Sequence, residues 1–476
     1  MRQRKPTDVR AYPRRSGRHG SDRQPRLLTV HVERWVTTAT LFCLILLTSW
    51  ILTNGNWDLR SSNPSGGWAG DFYTTQASAL LHGHLDVARS ELPGECFIIG
   101  KECYGYFGLF PSIVRIPLLW AQDLPGAAWT PLFTLFAIVI AGFFALKLIW
   151  RAPWASRPLP LVALWVIVPA GIASTAGSVL VLAARPTVYH EGIAWAIAAT
   201  LAFLYFVVRW IHDRRTALLI GACIAGCAAG LSRPGGIFPP LVIAIGLAVH
   251  ATLTQSWHRK LAAALLSLGL LPLMSNVVVS LAKFGAIRPD FANHEQFQTN
   301  PMWLQILAIN GHRANGGIAF APTNLVSLLR PDNLTLNPFG GGVAPRGGAF
   351  SFVWPIADGG TYVESYANIW ILMPVAIAGI IGAIIFRRRL RGQRTMGLAM
   401  VAAMTAIVPV ALNLGVTARY IADLAPAGVV AISAGTAAIL ALKGRMRVAA
   451  SAVVLLLVSM QTYACISLAL NLAGGG

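Results

Sequence analysis

The chain of 476 residues is strongly apolar, with 55% hydrophobic residues and only 12% charged residues. Soluble domains carry roughly 25% charged residues, so the composition excludes an ordinary soluble protein and indicates an integral membrane protein. The formal net charge of +20 does not indicate nucleic-acid binding, because the basic residues collect in a tail and in short segments between apolar runs.

The first 33 residues are rich in arginine and have no apolar periodicity. This composition predicts a disordered cytoplasmic tail that is attracted to anionic lipid head groups.

Long apolar runs recur after the tail. Each is long enough for an α-helix to cross the roughly 30 Å hydrocarbon layer, and backbone groups in lipid must be satisfied within the segment. The sequence therefore predicts an all-α polytopic membrane protein with about 11 transmembrane helices, within a range of 10 to 13. The predicted spans are 36–53, 130–149, 159–183, 193–209, 216–232, 236–254, 261–281, 369–386, 396–413, 422–441 and 449–471.

Charge predicts the orientation of these spans in the cell inner (plasma) membrane. With the amino terminus in the cytoplasm, most of the 38 basic residues lie inside, as the positive-inside rule requires, and the carboxyl terminus lies outside. Most of the 18 acidic residues then crowd on the outer face, where we expect the chemistry. The predicted regions are the tail 1–33, a membrane bundle 34–281 with a first extracytoplasmic loop 54–130, a second large extracytoplasmic loop 282–368, and C-terminal membrane helices 369–476.

The first outer loop contains the stretch GDFYTTQASALLHGHLDV. Asp71 can cap a helix that ends at Gly83, a residue suited to a left-handed position after a helix. The apolar stripe of this helix is Tyr73, Ala77, Leu80 and Leu81, so we expect it to lie on the membrane surface with Asp71 at the lip of the bundle. Asp71 could also be no more than a helix cap.

Next come Cys96 and Cys103, which flank FIIGKE. Gly100 and Lys101 suit a tight turn between two short strands, and the outer location favours a structural disulfide between the two cysteines over a metal site. The following apolar segment, Phe110 to Trp120, is predicted to be a re-entrant or interfacial helix. Its Arg115 would direct its charge toward head groups or substrate.

Ionisable residues at membrane depth are costly and suggest function. A set of them falls at the predicted outer ends of spans, on the same side as Asp71: Arg185, Tyr189, His190, Glu191, Arg233, Arg419, Tyr420 and Asp423. Arginine binds phosphate through a planar fork of donors, and an aspartate can accept a proton from a hydroxyl nucleophile. Alternatively, Arg233 and Arg419 are snorkelling anchors, and His190 with Glu191 is an ordinary helix start.

The order of one span, GDFYTTQASALLHGHLDV and YGYFGLFPSIVRIPLL resembles the GT-C superfamily of polytopic glycosyltransferases, especially bacterial members related to protein O-mannosyltransferases and aminoarabinose transferases. In that superfamily an acidic residue near the start of a surface helix in the first outer loop is the catalytic base, and the matching position is Asp71. The segments YHEGIAW, GLSRP and ARYIADLAP are similar in position to the polar span ends that line the lipid-phosphate pocket.

The resemblance implies a sugar donor carried on polyprenyl phosphate, transfer to a glycan or protein acceptor of the cell envelope on the outer face, and inversion at the anomeric carbon. Asp71 would deprotonate the acceptor, while Arg233 and Arg419, with His190 as a further candidate, would stabilise the lipid phosphate. No cofactor is expected. No ligand spacing requires a divalent metal, although Asp71, Glu191 and Asp423 could supply oxygen ligands.

Two other functions fit a polar path through a bundle of helices. A transporter or flippase for a lipid-linked sugar would usually show internal repeats and charges near mid-membrane, and neither is evident in the sequence. A noncatalytic subunit of an envelope-assembly system would use the outer loops to bind a partner protein.

Overall fold

The apolar runs form helices in the computed structural model of the protein, as expected where backbone groups must bond within their own segment. The structure describes residues 24–59, 72–121, 129–151, 171, 178–184, 186–255, 259–301, 304, 321, 324–325, 329, 334–337, 342–345, 362–363, 369–390, 392–412, 415–416 and 418–474.

The helices of the described residues vary from one turn to eight. In chain order they are α1 (Gln24–Leu52), α2 (Phe72–Leu81), α3 (Phe110–Arg115), α4 (Trp129–Arg151), α5 (Ser178–Ala183), α6 (Val188–Asp213), α7 (Thr216–Ser232), α8 (Phe238–Leu253), α9 (Arg259–Phe284), α10 (Glu295–Thr299), α11 (Ile369–Leu372), α12 (Pro374–Ile385), α13 (Gln393–Met404), α14 (Val408–Ala411), α15 (Ala425–Leu440) and α16 (Gly444–Gly474).

Seven helices among the described residues are long and apolar enough to cross a membrane, and three shorter apolar helices accompany them. The seven are His31–Leu52, Trp129–Trp150, Val188–Asp213, Pro234–Leu253, Arg259–Phe284, Tyr420–Leu440 and Gly444–Asn471. This confirms the predicted polytopic helical architecture. The total of about 11 spans stays a prediction, because most of 159–183 lies outside the described residues.

The first helix begins at Gln24, well before the predicted start of the span at residue 36, and so continues into the basic segment assigned to the tail.

Helix α6 lies at the centre of the bundle. It is the most deeply buried of the candidate spans, and it packs closely against α4 and α7. The sequence AIAATLA explains this position, because small side chains let neighbouring helices approach closely in a membrane. Since α6 begins at Val188, its first turn carries the YHEG motif into the middle of one end of the bundle.

We call that end the loop end, because residues 72–121 cover it. There α2 follows Asp71 directly, and Gly83, with φ +80°, ends the helical turn as predicted. Within the predicted apolar stripe, Tyr73 and Ala77 are buried, whereas Leu81 is 48% exposed. Gln76 also faces inward, where its Oε1 accepts a hydrogen bond of 2.8 Å from Ser112 Oγ on α3. The location of this helix on the membrane surface stays a prediction.

The predicted hairpin and disulfide are both present. Strand β1 (Phe97–Ile99) pairs antiparallel with β2 (Glu102–Tyr104), with Ile98 opposite Cys103. Cys96 and Cys103 form a disulfide with Cα atoms 5.2 Å apart. The bond fixes the hairpin that precedes the YGYFG motif.

The first described residues of the second predicted extracytoplasmic loop contact this hairpin. The backbone N–H of Glu295 donates to the carbonyl of Cys96 at 2.9 Å, and the Glu295 carboxylate forms an ion pair with Arg89. Beneath them, buried His294 lies 3.4 Å from a Glu95 carboxylate oxygen. These contacts join the two outer loops into one cover over the loop end.

Two more short strand pairings complete the described segments. Strand β3 (Leu334–Asn337) pairs antiparallel with β4 (Gly342–Pro345), and β5 (Tyr362–Val363) pairs parallel with β6 (Gly415–Val416). The last pairing brings the second loop beside the 3₁₀ segment Ala418–Leu424.

Basic residues at the opposite end of the bundle pair in part with acidic residues. Lys147 Nζ lies 3.2 Å from Glu33 Oε1, and Arg209 pairs with Asp213 one turn away. This distribution agrees with the positive-inside rule. The orientation, with the amino terminus in the cytoplasm, stays a prediction.

Candidate functional site

A buried ion pair lies under the loop end. Arg115, from the last turn of α3, donates to Glu191 Oε2 at 2.5 Å, and the two side chains are 2% and 0% exposed. Arg115 also donates to Thr74 Oγ1 at 2.6 Å and to Thr130 Oγ1 at 3.2 Å. Its guanidinium carbon lies 4.7 Å from the centre of the Phe133 ring.

This geometry corrects the expectation that Arg115 directs its charge toward head groups or substrate. The guanidinium faces inward and joins α2, α3, α4 and α6 through one carboxylate and two hydroxyl groups. Glu191 likewise faces Arg115. A charge at this depth is tolerated when it is paired and hydrogen-bonded, so the pair holds the loop onto the bundle.

A second arginine at the loop end remains partly accessible. Arg233 follows the last residue of α7, and its Nη2 lies 3.1 Å from Asp423 Oδ2. Its guanidinium carbon lies 5.1 Å from the centre of the Tyr420 ring. The side chain of Arg233 is 20% exposed, whereas that of Asp423 is 7% exposed. The sequence segments GLSRP and ARYIADLAP therefore do meet, as predicted.

The helix that follows Asp71 packs against the same region. Tyr73, in the first turn of α2, donates a hydrogen bond of 3.1 Å to the carbonyl of Val188, where α6 begins. Gly108 approaches the end of α7 so closely that a side chain there would collide with the carbonyl of Leu231. The first loop therefore contacts both α6 and α7 beside Arg233.

Electrostatics at Tyr73 show how near these charges are. Desolvation raises the pKa of Tyr73 well above its ordinary value, and Glu191 raises it further, while Arg115 and Arg233 act in the opposite direction. Arg233 thus acts electrostatically on a hydroxyl group in the first turn after Asp71.

Tyr106 belongs to this region, although the sequence analysis did not select it. Its ring centre lies 6.5 Å from that of Tyr189. Desolvation raises the pKa of Tyr106 well above its ordinary value, Tyr189 and Glu95 add to the shift, and Tyr420 makes a smaller contribution in the same direction. The YGYFG motif was the one sequence signal for Tyr106. It is a weak signal, because tyrosines are common wherever one end of the side chain packs against apolar groups and the hydroxyl end meets water.

His190 lies beside Tyr189 in the first turn of α6. Its Nδ1 is 3.1 Å from Thr187 Oγ1, and its side chain is partly exposed. Its predicted role at the phosphate stays a proposal.

Three predicted site residues cannot be placed in this geometry. Asp71 and Arg185 lie outside the described residues, and only the backbone of Arg419 is described, in the 3₁₀ segment that carries Tyr420. Their predicted roles remain proposals. Asp71 is covalently adjacent to Phe72, which is 1% exposed at the start of α2.

Metal binding was considered for Asp71, Glu191 and Asp423. Within the part of the chain that the structure describes, no group of three His, Cys, Asp or Glu side chains is arranged to hold a metal ion. Glu191 and Asp423 lie in ion pairs with Arg115 and Arg233.

No protein-family model matches the sequence, and no curated protein matches it significantly. Solved structures do match the fold. The apo crystal structure of the oligosaccharyltransferase from Archaeoglobus fulgidus aligns with a TM-score of 0.50 at 14% identity, covering 91% of this chain and 56% of that chain. The archaeal oligosaccharyltransferase AglB from the same organism, in complex with an inhibitory peptide and a dolichol-phosphate, gives a TM-score of 0.47 at 14% identity over the same shares.

The chain thus spans just over half the length of the archaeal protein. At this identity the likeness shows the fold alone, which the chain shares with that oligosaccharyltransferase structure. The predicted fold of a polytopic helical membrane protein is confirmed.

Proposed function

We propose that the protein is a membrane glycosyltransferase. It would move a sugar from a polyprenyl-phosphate donor to an acceptor of the cell envelope on the outer face of the plasma membrane. The observation that carries the proposal is the position of Arg233. This partly accessible guanidinium lies at the loop end, where α2, α6, α7 and the 418–424 segment meet. The shared GT-C fold supports a glycosyltransferase of this kind.

Arginine at this position suits a lipid-linked phosphate. A planar guanidinium can donate two parallel hydrogen bonds to phosphate oxygens, and it is more weakly hydrated than an ammonium group. A polyprenyl lipid brings its phosphate to the level of the head groups. The partly exposed edge of Arg233 is accessible from that level, whereas Arg115 is enclosed.

The proposed reaction is a single displacement at the anomeric carbon. The acceptor hydroxyl attacks this carbon and passes its proton to the carboxylate of Asp71. A new carbon–oxygen bond forms as the bond to the phosphate oxygen breaks, and polyprenyl phosphate leaves with the electron pair. Attack opposite the leaving group inverts the configuration.

Arg233 and Arg419, together with His190, would stabilise the charge that accumulates on the departing phosphate. Cations fixed in advance bind the transition state more strongly than the ground state, because negative charge on the phosphate grows during the step. No step in this proposal passes through a metal ion.

The test is transfer by purified protein in liposomes that contain radiolabelled polyprenyl-phosphate sugars, with release of polyprenyl phosphate as the readout. We expect release with wild-type protein and none above background with Asp71→Asn. The matched control is Asp86→Asn, which changes an aspartate in the same outer loop that the proposal does not use. A transporter or a noncatalytic subunit would release no polyprenyl phosphate, and normal turnover of Asp71→Asn would disprove the role of that residue.

Arg233 is tested separately by replacement with lysine, which keeps the charge but not the planar fork. We expect at least roughly a 10-fold loss of kcat/KM, since bidentate geometry is lost at a charged site. Arg288→Lys, at an exposed position near the carboxyl end of α9, is the control and should retain wild-type turnover.

A further inference from the structure

Three tyrosines from distant parts of the chain lie at the loop end: the rings of Tyr106 and Tyr189 are neighbours, and the ring of Tyr420 lies against Arg233. Tyr106 follows strand β2, Tyr189 lies in the first turn of α6, and Tyr420 lies in the 3₁₀ segment before α15. All three side chains are partly exposed. We call them the tyrosine cluster.

The cluster is held from several sides. Phe107 packs against the Tyr189 ring at a centroid distance of 5.1 Å. Lys283 Nζ, at the carboxyl end of α9, donates to the carbonyls of Gly105 and Phe107 at 2.9 and 3.0 Å. Lys283 therefore holds the backbone on both sides of Tyr106 by hydrogen bonds. The position of this residue thus does not depend on the hairpin alone.

Phenolic hydroxyl groups both donate and accept hydrogen bonds, and a sugar presents the same two capacities around its ring. A polyprenyl tail presents neither. A binding site with a few convergent polar groups on an aromatic surface therefore fits the sugar better than the lipid. The sugar of a phosphosugar is joined directly to the phosphate, and the Arg233 guanidinium carbon lies 5.1 Å from the Tyr420 ring centre.

We propose that the hydroxyl groups of Tyr106, Tyr189 and Tyr420 bind the sugar of the lipid-linked donor next to the phosphate at Arg233, an inference that rests on the proposed function. The cluster selects a hydroxyl-bearing ring at the anomeric end of the lipid, while Arg233 binds the phosphate whether or not a sugar is attached. The two parts of the site consequently make separable contributions to donor affinity.

The experiment compares two kinds of probe in detergent-purified protein: undecaprenyl phosphate alone, and undecaprenyl phosphate linked to mannose, glucose or arabinose. Affinities are measured for wild type, Tyr106→Phe, Tyr420→Phe and Arg233→Gln. Each Tyr→Phe change keeps the ring and removes one hydroxyl group. Tyr104→Phe is the matched control, because Tyr104 lies in the same loop, does not belong to the cluster, and has its ring against that of Phe284.

We expect wild type to prefer at least one sugar-linked probe over undecaprenyl phosphate. Each cluster variant should lose roughly 3- to 10-fold in affinity for that probe, the effect of one neutral hydrogen bond, with unchanged affinity for undecaprenyl phosphate. Arg233→Gln should weaken binding of both kinds of probe, and Tyr104→Phe neither.

The outcomes separate the two proposals. If wild type binds both kinds of probe but the cluster variants match it, or if no sugar improves binding, the tyrosine cluster does not recognise the sugar and this inference fails alone. If wild type binds neither kind of probe, the proposed function itself fails.

Discussion

Replacing Arg115 with methionine should destabilise the protein by about 3–5 kcal/mol, the usual cost of removing one partner of a buried ion pair. This loss of stability is large for a point substitution. We expect it because Glu191 is 0% exposed and would be left as an uncompensated charge. Two hydroxyl acceptors, on Thr74 and Thr130, would also lose their guanidinium donor. Hydrogen bonds to charged groups contribute about 1.5–3 kcal/mol each.

A double-mutant cycle measures the coupling directly. Unfolding by sodium dodecyl sulfate in mixed micelles, followed by tryptophan fluorescence, gives free energies for wild type, Arg115→Met, Glu191→Leu and the double variant. The double variant should recover most of the loss, since well-packed apolar residues often replace a buried pair at little cost. The control is Arg209→Gln, which breaks a partly exposed pair with Asp213 and should cost only about 0.3–0.5 kcal/mol.

Two results would refute this reasoning. The first is an Arg115→Met variant within about 1 kcal/mol of wild type, because such a small change is typical of an exposed pair. The second is a double variant whose loss equals the sum of the single losses, because independent residues add and coupled ones do not.

Three other changes have expected results. Replacing both cysteines of the 96–103 hairpin with alanine should lower the free energy of unfolding by about 2 kcal/mol through loop-closure entropy. Under reducing conditions the wild type also lacks the disulfide, so variant and wild type should then have the same free energy of unfolding. Gly435→Ala places a Cβ 2.5 Å from backbone of the facing helix and should cost about 1–3 kcal/mol in the same assay, whereas Gly397→Ala, with open space around it, should not destabilise. A hydrogen bond with Asp86 raises the pKa of Glu102, so this stabilisation is complete below the ordinary carboxyl pKa and is lost as pH rises through the raised folded value; Glu102→Gln should remove that part of the pH dependence of the melting temperature.

Local features of the fold could be predicted from sequence because local chemistry decides them. Apolar runs become helices when lipid leaves the backbone no other partner, which is why the helices match most predicted spans. Gly83 ends α2 with a positive φ, and Cys96 bonds to Cys103 across a turn at Gly100. In each case the determining residues are within about ten positions of one another.

Long-range pairing could not be predicted in this way. Arg115 and Glu191 were both assigned to the open site, yet they pair with each other across 76 positions. A sequence shows that both charges are costly at membrane depth, but the same residues fit a solvated lip or a buried bridge. Tyr106 was missed for the related reason that its neighbour, Tyr189, comes from a distant helix, α6.

Arg115 and Arg233 both lie at the loop end, but they differ in how accessible their side chains are. Arg115 is enclosed, and its carboxylate and hydroxyl partners join four helices, so a ligand phosphate could reach it only by breaking the packing of the loop. Arg233 pairs with Asp423 but keeps one fifth of its side chain exposed. In the proposed function, a phosphate would bind there to a charge whose position Tyr420 and Asp423 already fix, which lowers the ordering cost of binding. We therefore assign substrate binding to the partly accessible cation in the proposal, and a structural role to the buried one.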